Sequence, residues 1–203
     1  MLDTTARKLI DPPLNKIASH LSKIGLTGTS MTLIGFTFGL IACVSAFYNL
    51  YIFALAFLIL NRVCDGLDGA VARARNEASD FGGYLDIVLD FFIYAGFPFV
   101  MALGMNDTTC FMAVAFVIFA MVTTGVSFLA YATIAAKRDM VTESQGKKSF
   151  YFSRGLMEGT ETIIFLCLLC LLPQYFAMLC FTFGTLCLIT TAMRIHMAYH
   201  VFK

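Results

Sequence analysis

Apolar residues run through this chain in six long blocks, at 31–50, 51–73, 82–104, 109–136, 154–172 and 176–198, separated by short polar or turn-rich stretches. A helix needs about 20 apolar residues to cross the hydrocarbon of a bilayer, so each block is long enough to span it. The pattern predicts six transmembrane helices joined by connections too short to hold another domain. Ahead of the blocks, residues 10–26 (IDPPLNKIASHLSKIGL) put Leu14, Ile17, Ala18, Leu21 and Ile24 on one helical face and Asn15, Lys16, Ser19 and Lys23 on the other. Pro12 and Pro13 suit the first turn of such a helix; Thr27-Gly28-Thr29-Ser30 ends it, and Thr29 or Ser30 can cap the first span. The expectation is a single all-α membrane domain over 1–203: an amphipathic juxtamembrane arm at 1–29, lying on the inner leaflet, and a six-helix bundle at 30–203.

Composition agrees with a bilayer environment, since 59% of the residues are hydrophobic and 13% are charged. The positions of Lys and Arg give an orientation. With the N-terminus inside, Lys16, Lys23, Arg73, Arg75, Lys137, Arg138, Lys147, Lys148, Arg154 and Lys203 all fall on one side, while the connections near 50, 105 and 174 contain neither residue. The positive-inside rule then puts both termini in the cytoplasm, as in a protein of the bacterial inner membrane. The first 26 residues scatter charges where a signal peptide would need an unbroken apolar region. No basic patch with interleaved aromatics is present, which excludes a nucleic-acid partner. The seven cysteines sit in apolar surroundings and read as reduced thiols acting as small hydrophobes.

Against this background the stretch DGLDGAVARARNEASDFGGYLDIVLD, residues 65–90, stands out. Side chains three and four apart share a helical face, so Asp65, Asp68, Gly69, Ala72 and Arg73 form one stripe at the inner end of the second span. Gly82, Asp86 and Asp90 form another at the start of the third. The eight residues between Arg73 and Gly82 can turn the chain and face the two stripes against each other. An aspartate in the membrane costs about 2.5–3.5 kcal/mol on insertion scales, so four uncompensated ones would cost an amount comparable to a whole folding stability. Clustered carboxylates relieve this by taking up protons or by binding hard divalent cations. Their oxygens suffice for two Mg²⁺ ions, with Mn²⁺ as a substitute, completed by phosphate and water. Two metals about 4 Å apart stabilise both the entering and the leaving oxygen of an in-line displacement at phosphorus. Gly69 and Gly82 allow a nucleotide close to the backbone, and Arg73 offers a planar fork to phosphate.

The arrangement Asp65-x-x-Asp68-Gly69-x-x-Ala72-Arg73, eight residues, Gly82-x-x-x-Asp86-x-x-x-Asp90 resembles the signature of the CDP-alcohol phosphatidyltransferases at every fixed position and spacing. The juxtamembrane helix and six spans are similar to that family as well. The resemblance implies an enzyme of phospholipid synthesis that passes the phosphatidyl group of CDP-diacylglycerol to the hydroxyl of a small polar alcohol, releasing CMP. By the same resemblance Asp65, Asp68 and Asp86 bind metal. Asp90 is the base that deprotonates the acceptor and also touches a metal, and Asp65, Gly69, Arg73 and Gly82 contact the CDP moiety. A homodimer is implied too. Where the family often has a Pro-Asn-like pair before its first span this chain has Gly28-Thr29, so no cytidine contact is expected there. The stripe offers no Ser or Cys nucleophile, and Cys64 points about 100° away from Asp65, which favours a single displacement.

Other charged residues are read more openly. Arg154, Glu158 and Glu161 fall on one face of the predicted fifth span and Arg194 in the inner half of the sixth. Arg154, Glu158 and Arg194 are candidates for an acceptor pocket, or Glu158 and Arg194 for an interhelical ion pair. Arg62, one turn before Asp65, reads as a partner for an acid. Lys137, Arg138, Lys147 and Lys148 read as contacts to anionic lipid. Glycerol 3-phosphate is the leading acceptor on the basic inner rim, with inositol, inositol phosphate, serine, choline and ethanolamine as alternatives. A divalent-cation transporter is the rival of another class, although a transporter's acids sit near the midplane and these lie at the inner helix ends.

Overall fold

The computed structural model of the protein describes residues 3–138, 140 and 155–203, with side chains from Pro13 onward. Every regular element among the described residues is helical: α1 (Asp3–Lys23), α2 (Gly28–Phe47), α3 (Tyr51–Ala74), α4 (Asp80–Met105), α5 (Thr108–Lys137), α6 (Gly159–Leu171) and, after a 3₁₀ turn at Pro173–Tyr175, α7 (Phe176–Phe202). Lys147, Lys148 and Arg154 lie outside the described residues.

The helix ends follow from local chemistry. Thr27, Ser79 and Asp107 are N-caps whose side chains accept from the backbone N–H of Ser30, Gly82 and Cys110 at 3.1, 3.1 and 3.0 Å. The turns between α2 and α3, α3 and α4, and α4 and α5 each pass through an asparagine in the left-handed region, Asn49, Asn76 and Asn106 with φ of 58°, 56° and 51°. Asparagine tolerates that conformation better than other L-residues, so each helix stops there and reverses.

Four helical stretches are long and apolar enough to cross a membrane: α2, α4, α5, and α7 with its preceding 3₁₀ turn. This gives a multi-pass membrane protein but departs from the six spans expected. The second expected span, α3, is long enough, yet from its middle onward it carries Arg62, Asp65, Asp68 and Arg73. The fifth, expected over 154–172, is helical only from Gly159 to Leu171, and its 13 residues reach about 20 Å at the helical rise. Gly155 is packed against Thr190 and Arg194, and Glu158 and Glu161 form a capping box that starts α6 late. Pro173 follows at once and stops it.

Small residues on α2 let α3 and α4 come close. A Cβ at Gly28 would lie 2.8 Å from Ala72 Cβ and 3.0 Å from the Asp68 carbonyl, and one at Gly35 would lie 2.9 Å from Cys64 Cβ. Such backbone approach is how membrane helices gain packing energy when no hydrophobic force acts between them. The main core holds Leu58, Ile93, Phe97, Met101, Leu166 and Phe176. A second, smaller core joins α1 to the bundle, with Leu14, Ala18 and Leu21 against Leu67, Ala70 and Val71 of α3. Ile17 and Ile24, expected on the same face, are 46% and 74% exposed. All seven cysteines are free thiols.

Candidate active site

Asp65 and Asp68 are three apart on α3 and Asp86 lies in the second turn of α4, so the α3–α4 turn brings the three carboxylates together. One oxygen from each lies within 4.8 Å of the other two. Thr32 of α2 donates its hydroxyl to Asp68 Oδ2 at 2.8 Å and fixes that side chain from a third helix. Among the described residues Asp86 Oδ1 is buried without a hydrogen-bond partner. A buried carboxylate oxygen without a donor is costly, and more so on a side chain beside two further carboxylates. A divalent cation removes that cost, and hard oxygen ligands suit Mg²⁺ or Mn²⁺. The residues present therefore fit the cations expected.

Asp90 has a different neighbourhood. Arg62 Nη2 donates to its Oδ1 at 2.7 Å and Tyr94 OH to its Oδ2 at 3.1 Å. The Arg62 side chain reaches Asp65 as well, with Nη1 3.6 Å from Oδ2. Arg62 thus pairs with acids as its position one turn before Asp65 suggested. The triad that could hold a cation comprises Asp65, Asp68 and Asp86, while Asp90 stands beside it.

Cavities open on both flanks of the carboxylates. One of about 400 Å³ is bounded by Asp68 and Asp86 and by Gly69, Arg73 and Gly82, three of the four residues expected to contact CDP. Asp65, the fourth, lines instead a narrow gap that it shares with Asp86 and Asp90. Arg73 lies over Gly69, where a Cβ would come within 3.2 Å of its Nη1. Gly28 and Thr29 line the same cavity, although no contact was expected from them. They are there because Gly28 packs directly on Ala72, which carries the end of α2 to the rim. Glu77 also reaches this rim, and Arg75 donates to both its oxygens at 2.8 and 2.9 Å. That guanidinium holds the Glu77 carboxyl below the usual carboxylate range. Arg75 further donates to the Ser22 carbonyl near the end of α1 at 3.0 Å.

The second cavity, about 230 Å³, lies between α4, α5, α6 and α7 and is lined by Asp90, Tyr94, Thr124, Glu158 and Arg194. Two of the three expected acceptor residues, Glu158 and Arg194, meet here. The third, Arg154, is outside the described residues. Glu158 is the N-cap of α6 and accepts from Gly155 N at 2.8 Å, so it does not share a helical face with Glu161 as expected. Arg194 is 5% exposed and donates through Nη1 to the Thr124 carbonyl at 2.9 Å, while its buried Nε has no partner. Arg138 is exposed, and it donates to the carbonyls of Val201 and Phe202 at 3.4 and 2.6 Å at the end of α7. Thr32, Tyr94 and Thr124 were not singled out from the sequence. Tyr94 had a signal, since it lies four residues after Asp90 on the same stripe.

The family model described as CDP-alcohol phosphatidyltransferase matches residues 26–201. Over its full 203 residues the chain is 42% identical to the inner membrane protein YnjF of Escherichia coli, covering 98% of it. It is 37% identical over 98 residues to the archaetidylinositol phosphate synthase of Pyrococcus horikoshii, a match that covers 48% of this chain and 52% of that one. The fold is that of the phosphatidylinositol phosphate synthase of Mycobacterium tuberculosis. Its crystal structure with CDP-DAG bound superposes with a TM-score of 0.69 at 20% identity, over 90% of this chain and 92% of that one. Its complex with manganese and citrate gives 0.70 at 19% identity, over 92% and 88%.

Proposed function

The chain belongs to the CDP-alcohol phosphatidyltransferase family and is an enzyme of phospholipid synthesis, and on that premise we propose that it joins the phosphatidyl group of CDP-diacylglycerol to a hydroxyl of an inositol phosphate. In this reaction the acceptor oxygen forms a bond to the phosphorus bearing the diacylglycerol. The bond from that phosphorus to the bridging oxygen breaks, CMP leaves with that oxygen, and the hydroxyl proton passes to Asp90. The observation that carries the reading is the carboxylate triad, with an Asp86 oxygen that is buried without a partner among the described residues, set between a cavity rimmed by the nucleotide-signature residues and a second cavity bordered by Asp90.

Asp65, Asp68 and Asp86 would hold the divalent ions, two of them in this proposal, with Asp90 at their edge. When bound, such ions polarise the diphosphate and stabilise the charge that develops on the departing oxygen. Gly69 and Gly82 admit the nucleotide and Arg73 pairs with its phosphates. Asp90 takes the proton from an acceptor that Arg194 and Glu158 orient, with Arg154 as a further candidate. Proximity of the two substrates on either side of one carboxylate layer supports a single displacement, in which no residue is covalently modified.

Inositol phosphate displaces the glycerol 3-phosphate favoured by the basic inner rim. The named activities of the Pyrococcus and Mycobacterium relatives support it. So does the buried Arg194, whose unpartnered Nε beside the start of α6 suits a second anionic group on the acceptor. The donor is proposed on the family signature and on the CDP-DAG seen in the Mycobacterium enzyme. Orientation with active site and termini in the cytoplasm rests on the charge asymmetry of the connections, and the six-span bundle with α1 on the inner leaflet and the homodimer rest on likeness to the family. Family membership decides against a cation transporter. The test is to supply purified protein with CDP-diacylglycerol, Mg²⁺ and each alcohol in turn. Turnover with inositol phosphate is expected; turnover with glycerol 3-phosphate or a neutral alcohol in its place would overturn the acceptor assignment.

A further inference from the structure

The four signature aspartates are alike in sequence but not in how they are held. Arg62, with its side chain 10% exposed, directs its guanidinium mainly around Asp90, with Nη1 also 3.6 Å from Asp65 Oδ2. Nη2 donates to Asp90 Oδ1 at 2.7 Å, Nη1 to Tyr94 OH at 2.8 Å and Nε to Asn61 Oδ1 at 2.8 Å. Tyr94 OH closes the ring by donating to Asp90 Oδ2 at 3.1 Å. Asn61 is itself anchored, donating to the Gly35 carbonyl of α2 at 2.9 Å. Both oxygens of Asp90 are therefore oriented by donors that trace back through α3 to α2. A fork that contacts a carboxylate and a phenol together fixes direction as well as distance.

Position gives this ring its consequence. Asp90 is one helical turn beyond Asp86, and both border the narrow gap with Asp65. Asp90 and Tyr94 also line the second cavity together. We propose that Arg62 and Tyr94 are positioning residues that fix the direction of the Asp90 carboxylate, at the edge of the triad and facing the second cavity, so that it can take the acceptor's proton. This rests on the reading of Asp90 as the base.

The test compares Arg62→Gln, Arg62→Lys, Tyr94→Phe, Asp90→Asn and the Asp90→Asn/Arg62→Gln double variant as purified protein in nanodiscs. CMP release is followed with CDP-diacylglycerol and either inositol 1-phosphate or glycerol 3-phosphate, and Mn²⁺ binding by electron paramagnetic resonance. Tyr94→Phe, which loses a hydroxyl bonded to both the Asp90 carboxylate and the Arg62 guanidinium, and Arg62→Gln, which loses the charged fork, should each lower kcat about 10- to 100-fold. Arg62→Lys should recover part of the rate, while donor KM and Mn²⁺ binding stay at the parent values. Because Arg62 acts through Asp90, Arg62→Gln should change the residual rate of Asp90→Asn by less than about twofold. Full rates in Tyr94→Phe and Arg62→Gln beside an inactive Asp90→Asn would overturn the inference and leave the base intact. A nearly normal Asp90→Asn would overturn the base reading first. Loss of Mn²⁺ or donor binding in Arg62→Gln would mark a structural role and also overturn the inference. Should Arg62→Gln fail to fold, Tyr94→Phe, which removes one hydroxyl, decides by the same criteria.

Discussion

The α2–α4 side of the molecule and the α5–α7 side carry their chemistry in opposite ways. On the first, Asp65, Asp68 and Asp86 come together through one helical turn and one tight reversal, braced by glycines that set α2 within contact of α3. On the second, the cavity draws Thr124, Glu158 and Arg194 from three elements far apart in the chain, one of them the cap of a helix of 13 residues. Local spacing creates the first site and tertiary packing creates the second. The reaction common to a family belongs on the first kind of surface. In the proposed reading, selection among acceptors falls to the second, where single residues can change without disturbing the triad.

Four substitutions or conditions probe that contrast, in falling order of effect. Asp86→Asn removes a charge from the triad and should lower CMP release about 10³-fold or more, the scale of losing a metal's charge stabilisation, for every acceptor alike. Arg194→Gln should act on the other side only. Acceptor KM rises by about 10- to 100-fold for an anionic acceptor, the worth of a charge-assisted hydrogen bond, while donor KM stays unchanged. A matching rise in donor KM would erase the proposed division between the two cavities. Gly28→Ala forces a Cβ to 2.8 Å from Ala72 Cβ and 3.0 Å from the Asp68 carbonyl. Overpacking of this kind costs about 1–3 kcal/mol, read as a lower unfolding temperature, and should weaken donor binding more than acceptor binding.

The smallest effect concerns pH and the exposed Arg75–Glu77 pair. Glu77 titrates below its ordinary value, so the pair contributes to the α3–α4 turn at and above the ordinary carboxylate range and is lost only as pH falls through the lowered value. Hydrogen exchange at residues 76–79 should stay flat, after correction for intrinsic rates, from pH 5 to 8 and rise only in more acid buffer. Glu77→Gln should remove that acid step.

The same contrast explains what could be read from the sequence. Helical spacing was enough to put Asp65, Asp68 and Asp86 together and to set Arg62 beside the acids, since each relation spans one turn or one short reversal. The free state of the cysteines was equally local. The cap of the first span was expected at Thr29 or Ser30, but α2 starts at Gly28, and Thr27, in extended backbone, is its cap. The fifth apolar block was started too early because hydropathy counts apolar residues without asking whether Gly155 is packed against another helix or whether Glu158 caps the helix. That Arg138 also donates to the last carbonyls of α7 was not legible because nothing local reveals that they lie beside it. Gly28 and Thr29 were passed over for want of the family's usual pair, although packing of Gly28 on Ala72 brings them to the nucleotide-side cavity.

The central claim is that the Asp65–Asp68–Asp86 triad holds divalent cations between the two cavities. Calorimetric titration of the purified protein with Mn²⁺, in the presence and absence of CDP, tests it most directly. The account predicts saturable binding that CDP strengthens, lost in Asp86→Asn and retained in Arg194→Gln. Equal heats for the parent protein and Asp86→Asn would contradict it.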